Sequence, residues 1–316
     1  MVIKDIFLPR ICSDDELKTL KGTFLDDEWI VHYINHDVNI YDEDTGKLLV
    51  SFRKNRLKEH KNNFQYFKHL ANPSRGRGAS AGPIDPQSDY WKKRTLTKIQ
   101  GFRTWYLKKN GEPSKMNVSN QVLSTPIGYF NSINSLGIQL PCRLTHYTSV
   151  NMKSYTSCIP FINEISRWYQ KVNPVAYQFQ LDRALLKDNF RISKTPFSTI
   201  TVNRNFRTGL HKDSGDYGGV ACLSVLEHGE YNGGIFMLPA YGIGIDMRGG
   251  DILCADVHQF HCNSEIWTTP DQDERNKQLQ KEFNENPKVG TIGAYDDYSR
   301  ISLVCYLREK MIDCDQ

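Results

Sequence analysis

The sequence lacks any apolar run long enough to cross a membrane, and Met1 to Asp5 do not begin a signal peptide. It has no internal repeat. Its 8 cysteines include no CxxC pair, which argues against a small disulfide-stapled domain. We therefore expect a soluble intracellular protein with reduced thiols and no membrane partner. Cys254 and Cys305 lie in apolar runs and are predicted to fill the core.

Short β-rich runs punctuated by glycine follow one another from Ser198 onward, a pattern typical of an all-β sandwich or jelly roll. Upstream, helical spacing of apolar residues predicts an amphipathic helix from Tyr155 to Val172. Ser13 and Glu16 have the spacing of a capping box, which predicts a short helix near the start. The predicted fold class is mainly β with flanking helices (α+β), built on a double-stranded β-helix (jelly-roll or cupin-like) core.

Positive charge is concentrated between Arg53 and Lys115, where 16 Lys and Arg accompany 4 acidic residues; this stretch carries +12 and the rest of the chain −8. Interleaved aromatic residues suit phosphate contacts and base stacking, although a solvated basic face with ordinary core aromatics is the alternative. We predict that residues 1–120 form an N-terminal basic lobe facing nucleic acid. Residues 121–316 are predicted to form the core, with an insertion at about residues 264–298.

Two histidines and an aspartate have the spacing of ligands to one metal ion. On a strand, His211 and Asp213 would point to one face while Lys212 points to the other. A second, distant histidine would complete a two-histidine, one-carboxylate triad, which leaves open coordination positions on non-haem iron(II). Those positions suit 2-oxoglutarate and O2.

The second histidine is either His258 or His261, which would lie on opposite faces of a regular strand because their separation is odd. We favour His261 as the ligand, because it stands where the apolar run gives way to a polar loop. For His258 we predict a supporting or structural role.

A bound 2-oxoglutarate needs a cation for its far carboxylate. Arg300 suits this role because a guanidinium holds a carboxylate with two hydrogen bonds, and Ser302 on the same strand face could add one more. Asn203 is a further candidate contact to the co-substrate. Arg308 is the fallback for Arg300, although its place after an apolar strand predicts a solvent-facing end. The ordered set predicts an iron(II), 2-oxoglutarate-dependent oxygenase.

Several segments resemble a known family: Ser124 to Phe130, Pro141 to Thr145, Thr201 to Tyr217, Gly229 to Pro239 and Gly249 to Leu253. They are similar to the TET/JBP family of iron(II)/2-oxoglutarate-dependent nucleic-acid dioxygenases. The similarity is closest to the JBP branch, the base-J thymidine hydroxylases with their phage and algal relatives. It runs, with gaps, from about Arg75 to Arg308.

The resemblance implies hydroxylation of the 5-methyl group of thymine or 5-methylcytosine in DNA. It makes His211, Asp213 and His261 the iron ligands and Arg300 the 2-oxoglutarate anchor. Ascorbate is a candidate reductant or co-substrate. The DNA would be a duplex with a flipped base, or single-stranded, because a buried site cannot reach a stacked base. We expect a monomer located in the nucleus, or in the host cytoplasm for a phage-encoded chain.

Five residues are predicted to contact the substrate. Arg75 and Arg77 belong to a Gly/Ser/Ala-rich loop that could enter a DNA groove or could be only a linker. Asn205, Arg207 and Asp216 flank the metal motif. The alternative function is a peptidyl (protein) hydroxylase with the same iron site.

Overall fold

The computed structural model describes residues 3–58, 60–68, 70–74, 76–133, 139–285 and 298–314. Its strands are β1 (Lys4–Leu8), β2 (His32–Ile34), β3 (Val38–Asp42), β4 (Leu48–Arg53), β5 (Pro73–Ser74), β6 (Leu96–Gln100), β7 (Arg103–Tyr106), β8 (Val122–Ile133), β9 (Gln139–Leu144), β10 (Thr199–Arg204), β11 (Val220–His228), β12 (Asn232–Gly233), β13 (Phe236–Leu238), β14 (Ile243–Ile245), β15 (Ile252–Asp256), β16 (Cys262–Asn263), β17 (Ile266–Trp267) and β18 (Ser299–Tyr306). The helices are α1 (Asp14–Thr19), α2 (His60–Lys68), α3 (His146–Val150), α4 (Met152–Val172), α5 (Pro174–Leu185) and α6 (Pro270–Glu285).

Two sheets form the body of the molecule. The larger sheet has the order β1-β3-β4-β15-β11-β18-β10-β8-β5, with β9 paired to β8, and the smaller has the order β16-β13-β14-β2. In the larger sheet β18 is antiparallel to both neighbours, so Ser302 faces Asn203 of β10 and Val225 of β11. Central pairing on both edges holds β18 rigidly, which matters because alternate side chains of this strand carry predicted site residues.

Two apolar clusters lie on opposite faces of the larger sheet. One, which includes Leu223, Phe236 and Met247, packs between the two sheets. The other, which includes Ile162 and Leu303, packs between the larger sheet and helices α2, α4 and α5. The helices therefore cover one face of the sheet and leave the other face to the smaller sheet and the site. No helix in the described ranges is long and apolar enough to cross a bilayer.

The predicted local elements can be compared directly with the structure. The capping box of Ser13 and Glu16 begins α1, as predicted, with Ser13 accepting the Glu16 N–H. The predicted amphipathic helix is α4. Strands β1, β3 and β4, from the N-terminal part of the chain, extend the larger sheet, and β4 pairs with β15 of the predicted core. The division of the chain at about residue 120 stays a prediction.

The cysteines differ from expectation at one pair. Cys142 in β9 and Cys314 are joined by a disulfide across a sequence separation of 172 residues, with their Cα atoms 5.6 Å apart. The prediction of reduced thiols throughout was therefore wrong for these two. A sequence pattern could not reveal the pair because only the fold brings the two positions together. Cys254 and Cys305 are buried in the core, as predicted.

The packing of α4 on the larger sheet generates a stability prediction. Ile162 of α4 is 0% exposed and Val175 of α5 is 80% exposed. Ile162→Ala should lower the free energy of unfolding by about 2–5 kcal/mol through lost burial and the cavity left behind, whereas Val175→Ala should change it by less than about 0.5 kcal/mol. Urea unfolding followed by circular dichroism measures both. Equal losses would contradict the buried position of this α4 face.

Candidate metal centre and cavity

Backbone hydrogen bonds bring the two predicted histidine ligands together. His211 and His261 form an isolated antiparallel bridge in which each N–H donates to the carbonyl of the other, at 3.0 and 2.9 Å. Their ring centroids lie 4.3 Å apart. The Asp213 N–H donates to the Val257 carbonyl at 3.0 Å. Their spacing predicted that His211 and Asp213 lie on a regular strand. The structure instead has a single bridge at His211, followed by an irregular segment that contains Asp213.

The ligand atoms point at one another. His211 Nε2 lies 3.7 Å from Asp213 Oδ1, and His261 Nε2 lies 3.5 Å from Asp213 Oδ2. Nδ1 of His211 contacts the Gly209 carbonyl at 2.8 Å, and Nδ1 of His261 contacts the Gln259 carbonyl at 3.0 Å. A carbonyl only accepts, so each Nδ1 carries a proton and each Nε2 is the ring nitrogen left to bind a metal ion.

This donor set fits an iron(II) ion. The three ligand atoms all lie within 4.8 Å of one another, a spacing that one ion at ordinary bond lengths of about 2 Å can bridge with little movement. Two imidazoles and one carboxylate on one side of the ion are typical of non-haem iron(II) oxygenases, because the opposite coordination positions stay open.

Electrostatics favours the metal-binding forms of His211 and Asp213 but opposes that of His261. Burial and the neighbouring His261 lower the pKa of His211 to about 4, so this imidazole is neutral at neutral pH. Burial works against the charge of Asp213, but the two histidines outweigh it and hold the pKa of that carboxyl below its usual value. Burial likewise opposes a proton on His261, yet its hydrogen bond to Asp213 raises the His261 pKa overall. An arriving metal ion therefore competes with a proton at His261.

A cavity of about 420 Å³ adjoins the cluster. Alternate residues at the end of the chain line it: Arg300, Ser302, Val304, Tyr306 and Arg308. A strand rises about 3.3 Å per residue, so Arg300 and Tyr306 lie roughly 20 Å apart along β18, and Arg308 follows beyond. The two arginines therefore mark opposite ends of the cavity.

The Arg300 end has an unpartnered guanidinium Nε among the described residues and a short chain of polar side chains. Arg300 is 6% exposed, and its Nε has no hydrogen-bond partner among the described residues. Gly234, at φ +68°, lies against it, and an added Cβ would stand 3.0 Å from this Nε. Nearby, the Ser124 hydroxyl donates to Asn203 Oδ1 at 2.5 Å, and Asn203 Nδ2 donates to Ser302 Oγ at 3.4 Å. The Ser302 proton is therefore available to a ligand.

The Arg308 end combines a fixed arginine with a buried carboxyl. Arg308 Nε donates to Asn131 Oδ1 at 2.6 Å, and its Cζ lies 3.9 Å from the Phe130 ring centroid. The expectation that Arg308 faces solvent was wrong. Asp216 is buried, and its Oδ2 has no partner within the described part of the chain. Burial, reinforced by the charge of Asp213, raises the Asp216 pKa well above its ordinary value.

Comparison with known proteins identifies the family of this chain. The family model Tet_JBP, described as the oxygenase domain of the 2OGFeDO superfamily, matches residues 125–309. The match covers more than half of the chain and includes the metal cluster, Arg300 in β18 and Arg308 just after that strand. The chain belongs to the Tet_JBP family. This confirms the family predicted from the sequence. The superfamily is named for 2-oxoglutarate and iron(II), which such oxygenases use together with O2.

Individual relatives agree with this assignment. Thymine dioxygenase JBP1-B of Trypanosoma cruzi is 36% identical over 187 residues, which are 59% of this chain and 19% of that protein. Thymine dioxygenase JBP1 of Trypanosoma brucei brucei is 39% identical over 140 residues, 44% of this chain and 16% of that protein. The chain thus spans less than a fifth of the length of either relative.

A solved structure confirms the predicted fold class. NgTET1 in complex with 5mC DNA matches this chain with a TM-score of 0.51 and 13% identity, covering 88% of this chain and 78% of the other. The Tet_JBP chain therefore has the mainly β oxygenase jelly roll, with helices on one face of its larger sheet.

Some predicted substrate residues lie away from the cavity of this Tet_JBP chain. Asn205 Oδ1 accepts the Arg300 N–H at 2.7 Å, and the Asn205 N–H donates back to the Arg300 carbonyl at 2.9 Å, so Asn205 fixes the backbone beside Arg300. Arg207 forms ion pairs at the surface with Asp26 and Glu265. Neither residue lines the cavity. Arg75 lies outside the described residues.

Arg77 and Asp216 do line the cavity. Arg77 Nε and Nη2 have no hydrogen-bond partner among the described side chains and backbone, and burial lowers the pKa of this guanidinium. The Ser80 carbonyl, in the same segment, accepts the Gly209 N–H at 3.0 Å. An added Cβ on Gly209 would stand 2.8 Å from the Ala79 carbonyl oxygen, so glycine lets the two segments meet.

The sequence reasoning missed several cavity residues, among them Ser124 and Phe130, and named Arg308 only as a fallback. It also missed Asn131, which holds Arg308 in place. For Arg308 a signal existed, because the alternation that joins Arg300 to Ser302 reaches residue 308 when it is continued along the strand. Ser124 and Phe130 lie in a segment that resembled the family, but no spacing tied them to the metal motif. His258 Nε2–H donates to the Asp216 carbonyl at 2.9 Å, and His258 lies outside the ligand cluster.

The arrangement predicts which late histidine binds iron(II). Loss of a residue that hydrogen-bonds to a metal ligand weakens metal binding by about 10–100-fold. His261→Ala removes a ligand itself, so it should weaken iron(II) binding by more than this. His258→Ala should leave a measurable site of similar affinity. Anaerobic calorimetric titration with iron(II), without co-substrate, measures both. Loss of binding only in His258→Ala would transfer the ligand role to His258.

Proposed function

We propose that this chain hydroxylates the 5-methyl group of a pyrimidine base in DNA, with thymine as its substrate, using iron(II), 2-oxoglutarate and O2. The observation that carries the proposal is a buried cavity that joins a three-ligand cluster to two widely separated arginines. Support comes from relatives named thymine dioxygenases and from the likeness to NgTET1, solved with 5mC DNA.

Iron(II) with 2-oxoglutarate and O2 would supply the oxidising chemistry, and His211, Asp213 and His261 would hold the ion. Arg300 would bind the far carboxylate of 2-oxoglutarate, because its buried guanidinium has an unpartnered Nε and a planar edge that fits a carboxylate. Ser302 would donate a hydrogen bond to the same carboxylate, since its oxygen already accepts from Asn203.

The apolar part of the cavity keeps water from the reacting methyl group. Leu223, Phe236, Met247 and Val304 line it. Exclusion of water strengthens the attraction between Arg300 and a carboxylate, because the local dielectric constant falls. It also protects a reactive oxidant from side reactions with solvent.

The Arg308 end suits a nucleobase. A stacked base cannot enter a buried cavity, so the base must be flipped out of a duplex or come from a single strand. Phe130 and Asn131 hold the Arg308 guanidinium in a fixed direction. A guanidinium only donates hydrogen bonds, whereas O4 of thymine accepts and the N4 amino group of cytosine donates. Arg308 therefore favours thymine, with Asp216 beside it to bind another polar atom of the base.

Other features also stay proposals. Ascorbate would act as a reductant rather than as a replacement for 2-oxoglutarate, since the Arg300 end is built for a carboxylate. A monomer, a nuclear or host-cytoplasmic location and a basic lobe spanning residues 1–120 remain predictions. No observation in the described residues favours the peptidyl hydroxylase over the DNA enzyme.

Product analysis tests the reaction. The protein, loaded anaerobically with iron(II), should convert thymine in DNA to 5-hydroxymethyluracil when 2-oxoglutarate and O2 are added, as measured by mass spectrometry of digested nucleosides. His211→Ala should abolish the product by removing a ligand. His146→Ala, an exposed histidine on α3, should retain it. 2-Oxoglutarate turnover stimulated by peptides, with no modified base from thymine or 5-methylcytosine DNA, would favour the alternative.

Kinetics of two arginine variants test the assignment of the cavity ends. Arg300→Gln should raise KM for 2-oxoglutarate about 10- to 100-fold, because a charge-assisted hydrogen bond of about 1.5–3 kcal/mol is lost. Arg308→Gln should leave that KM near its original value. It should instead lower the ratio of kcat/KM for thymine over 5-methylcytosine DNA by about tenfold, because an amide both donates and accepts. Exchanged effects would reverse the assignment.

A further inference from the structure

A two-stranded hairpin stands apart from both main sheets. Strands β6 and β7, here called the basic ribbon (residues 96–106), pair only with each other within the described chain, apart from an isolated bridge between Thr104 and Val118. One face is anchored, since Thr104 is fully buried. Along β6 the side chains from Thr97 to Gln100 are exposed. The ribbon therefore presents an exposed edge and face that the fold itself does not use.

The exposed surface of the ribbon is cationic. Lys98 and Arg103 are exposed and form no ion pair with any described residue. Lys98 Nζ lies 5.2 Å from the Trp105 ring centroid, and Arg103 Cζ lies 5.2 Å from the Phe102 centroid, so aromatic rings hold both cations in place. Ile99 between them is 44% exposed. Cations held by aromatic rings keep their charge available to an external partner.

The ribbon adjoins the wall of the cavity. Its turn accepts a hydrogen bond at the Gly101 carbonyl from the Ile84 N–H, at 3.3 Å. Ile84 ends a segment whose earlier residues Arg77 and Ser80 line the cavity. Asn120 ties this segment down by donating to the carbonyls of Ala81 and Pro83 at 2.9 and 2.8 Å. The ribbon thus contacts the chain segment that forms part of the cavity wall.

We propose that the basic ribbon is a sequence-independent contact to the DNA backbone that holds a duplex beside the cavity while one base is inside; this proposal rests on the proposed function. A five-residue strand is roughly 17 Å long, which matches about five base steps of DNA at 3.4 Å per strand. A two-stranded ribbon also fits the width of a major groove. The ribbon belongs to the stretch from Arg53 to Lys115, which carries +12 while the remainder of the chain carries −8, so DNA is drawn toward this stretch.

The experiment compares two double variants that remove equal charge. Lys98→Gln/Arg103→Gln alters the ribbon. Lys153→Gln/Lys171→Gln alters exposed lysines of α4, which packs on the sheet face opposite the cavity. Fluorescence anisotropy measures the affinity for a labelled thymine-containing duplex in the absence of iron and 2-oxoglutarate. The salt concentration is varied from about 50 to about 200 mM, a range over which counterion release changes the affinity strongly.

The ribbon variant should bind the duplex about 10- to 100-fold more weakly at about 0.1 M salt, and the slope of log affinity against log salt should fall by about 2, one for each lost phosphate contact. The α4 variant should bind like the unaltered protein. Both double variants should keep the 2-oxoglutarate turnover measured without DNA, which shows that the site is intact.

Three results would overturn the proposal. The first is equal binding by the two variants. The second is equal weakening by both, which would indicate a diffuse charge effect. The third is competition by poly-glutamate as strong as competition by DNA at equal charge, which would make the ribbon a site for acidic proteins. Because binding is measured without turnover, ribbon-dependent binding with no oxidised base would refute the proposed reaction and keep the DNA contact.

Discussion

The pair of backbone hydrogen bonds between His211 and His261 is the constraint on which the site depends. These bonds join two distant segments through the backbone alone, and the Gly209 and Gln259 carbonyls hold the two rings so that both Nε2 atoms face Asp213. A metal ion therefore meets ligands that are already oriented, so little of its binding energy is spent on ordering side chains. The close approach of Gly209 to Ala79 extends the same constraint to the segment of Arg77, which closes one wall of the cavity.

Strand β18 sets the length of what the cavity accepts. Its central position, between β10 and β11, fixes the backbone, and Asn205 fixes the strand where Arg300 begins it. Alternate side chains of β18 face the cavity. Arg300 at the start of the strand and Arg308 just after its end are therefore held at a nearly constant separation. A small dicarboxylate that reaches Arg300 cannot also reach Arg308. A small dicarboxylate bound at Arg300 would therefore leave the Arg308 end open to a second ligand.

The sequence predicted those features that depend on local spacing. The pairing of His211 with Asp213, the pairing of Arg300 with Ser302, helix α4 and the capping box of α1 all follow from residues within a few positions of each other. The role of Asn205 could not be predicted, because it depends on which backbone lies opposite it in the sheet. The disulfide of Cys142 with Cys314 was missed for the same reason. Arg308 was misplaced because an apolar strand end was taken as the point where the chain turns to solvent, whereas Asn131 and Phe130 hold its side chain inside.

The arginines of the cavity lie on one face of the larger sheet. The larger sheet carries helices on one face, and its other face holds the cavity with Arg77, Arg300 and Arg308. Two aspartates share that cavity, but Asp213 faces the histidines, and burial favours the neutral form of Asp216. The cavity therefore attracts anions in spite of its carboxyl groups. A dianionic co-substrate and the phosphates around a flipped base would be drawn to the same opening. The size of each molecule would then decide which end of the cavity it occupies. A small co-substrate would pass to Arg300 and leave the Arg308 end open for a base.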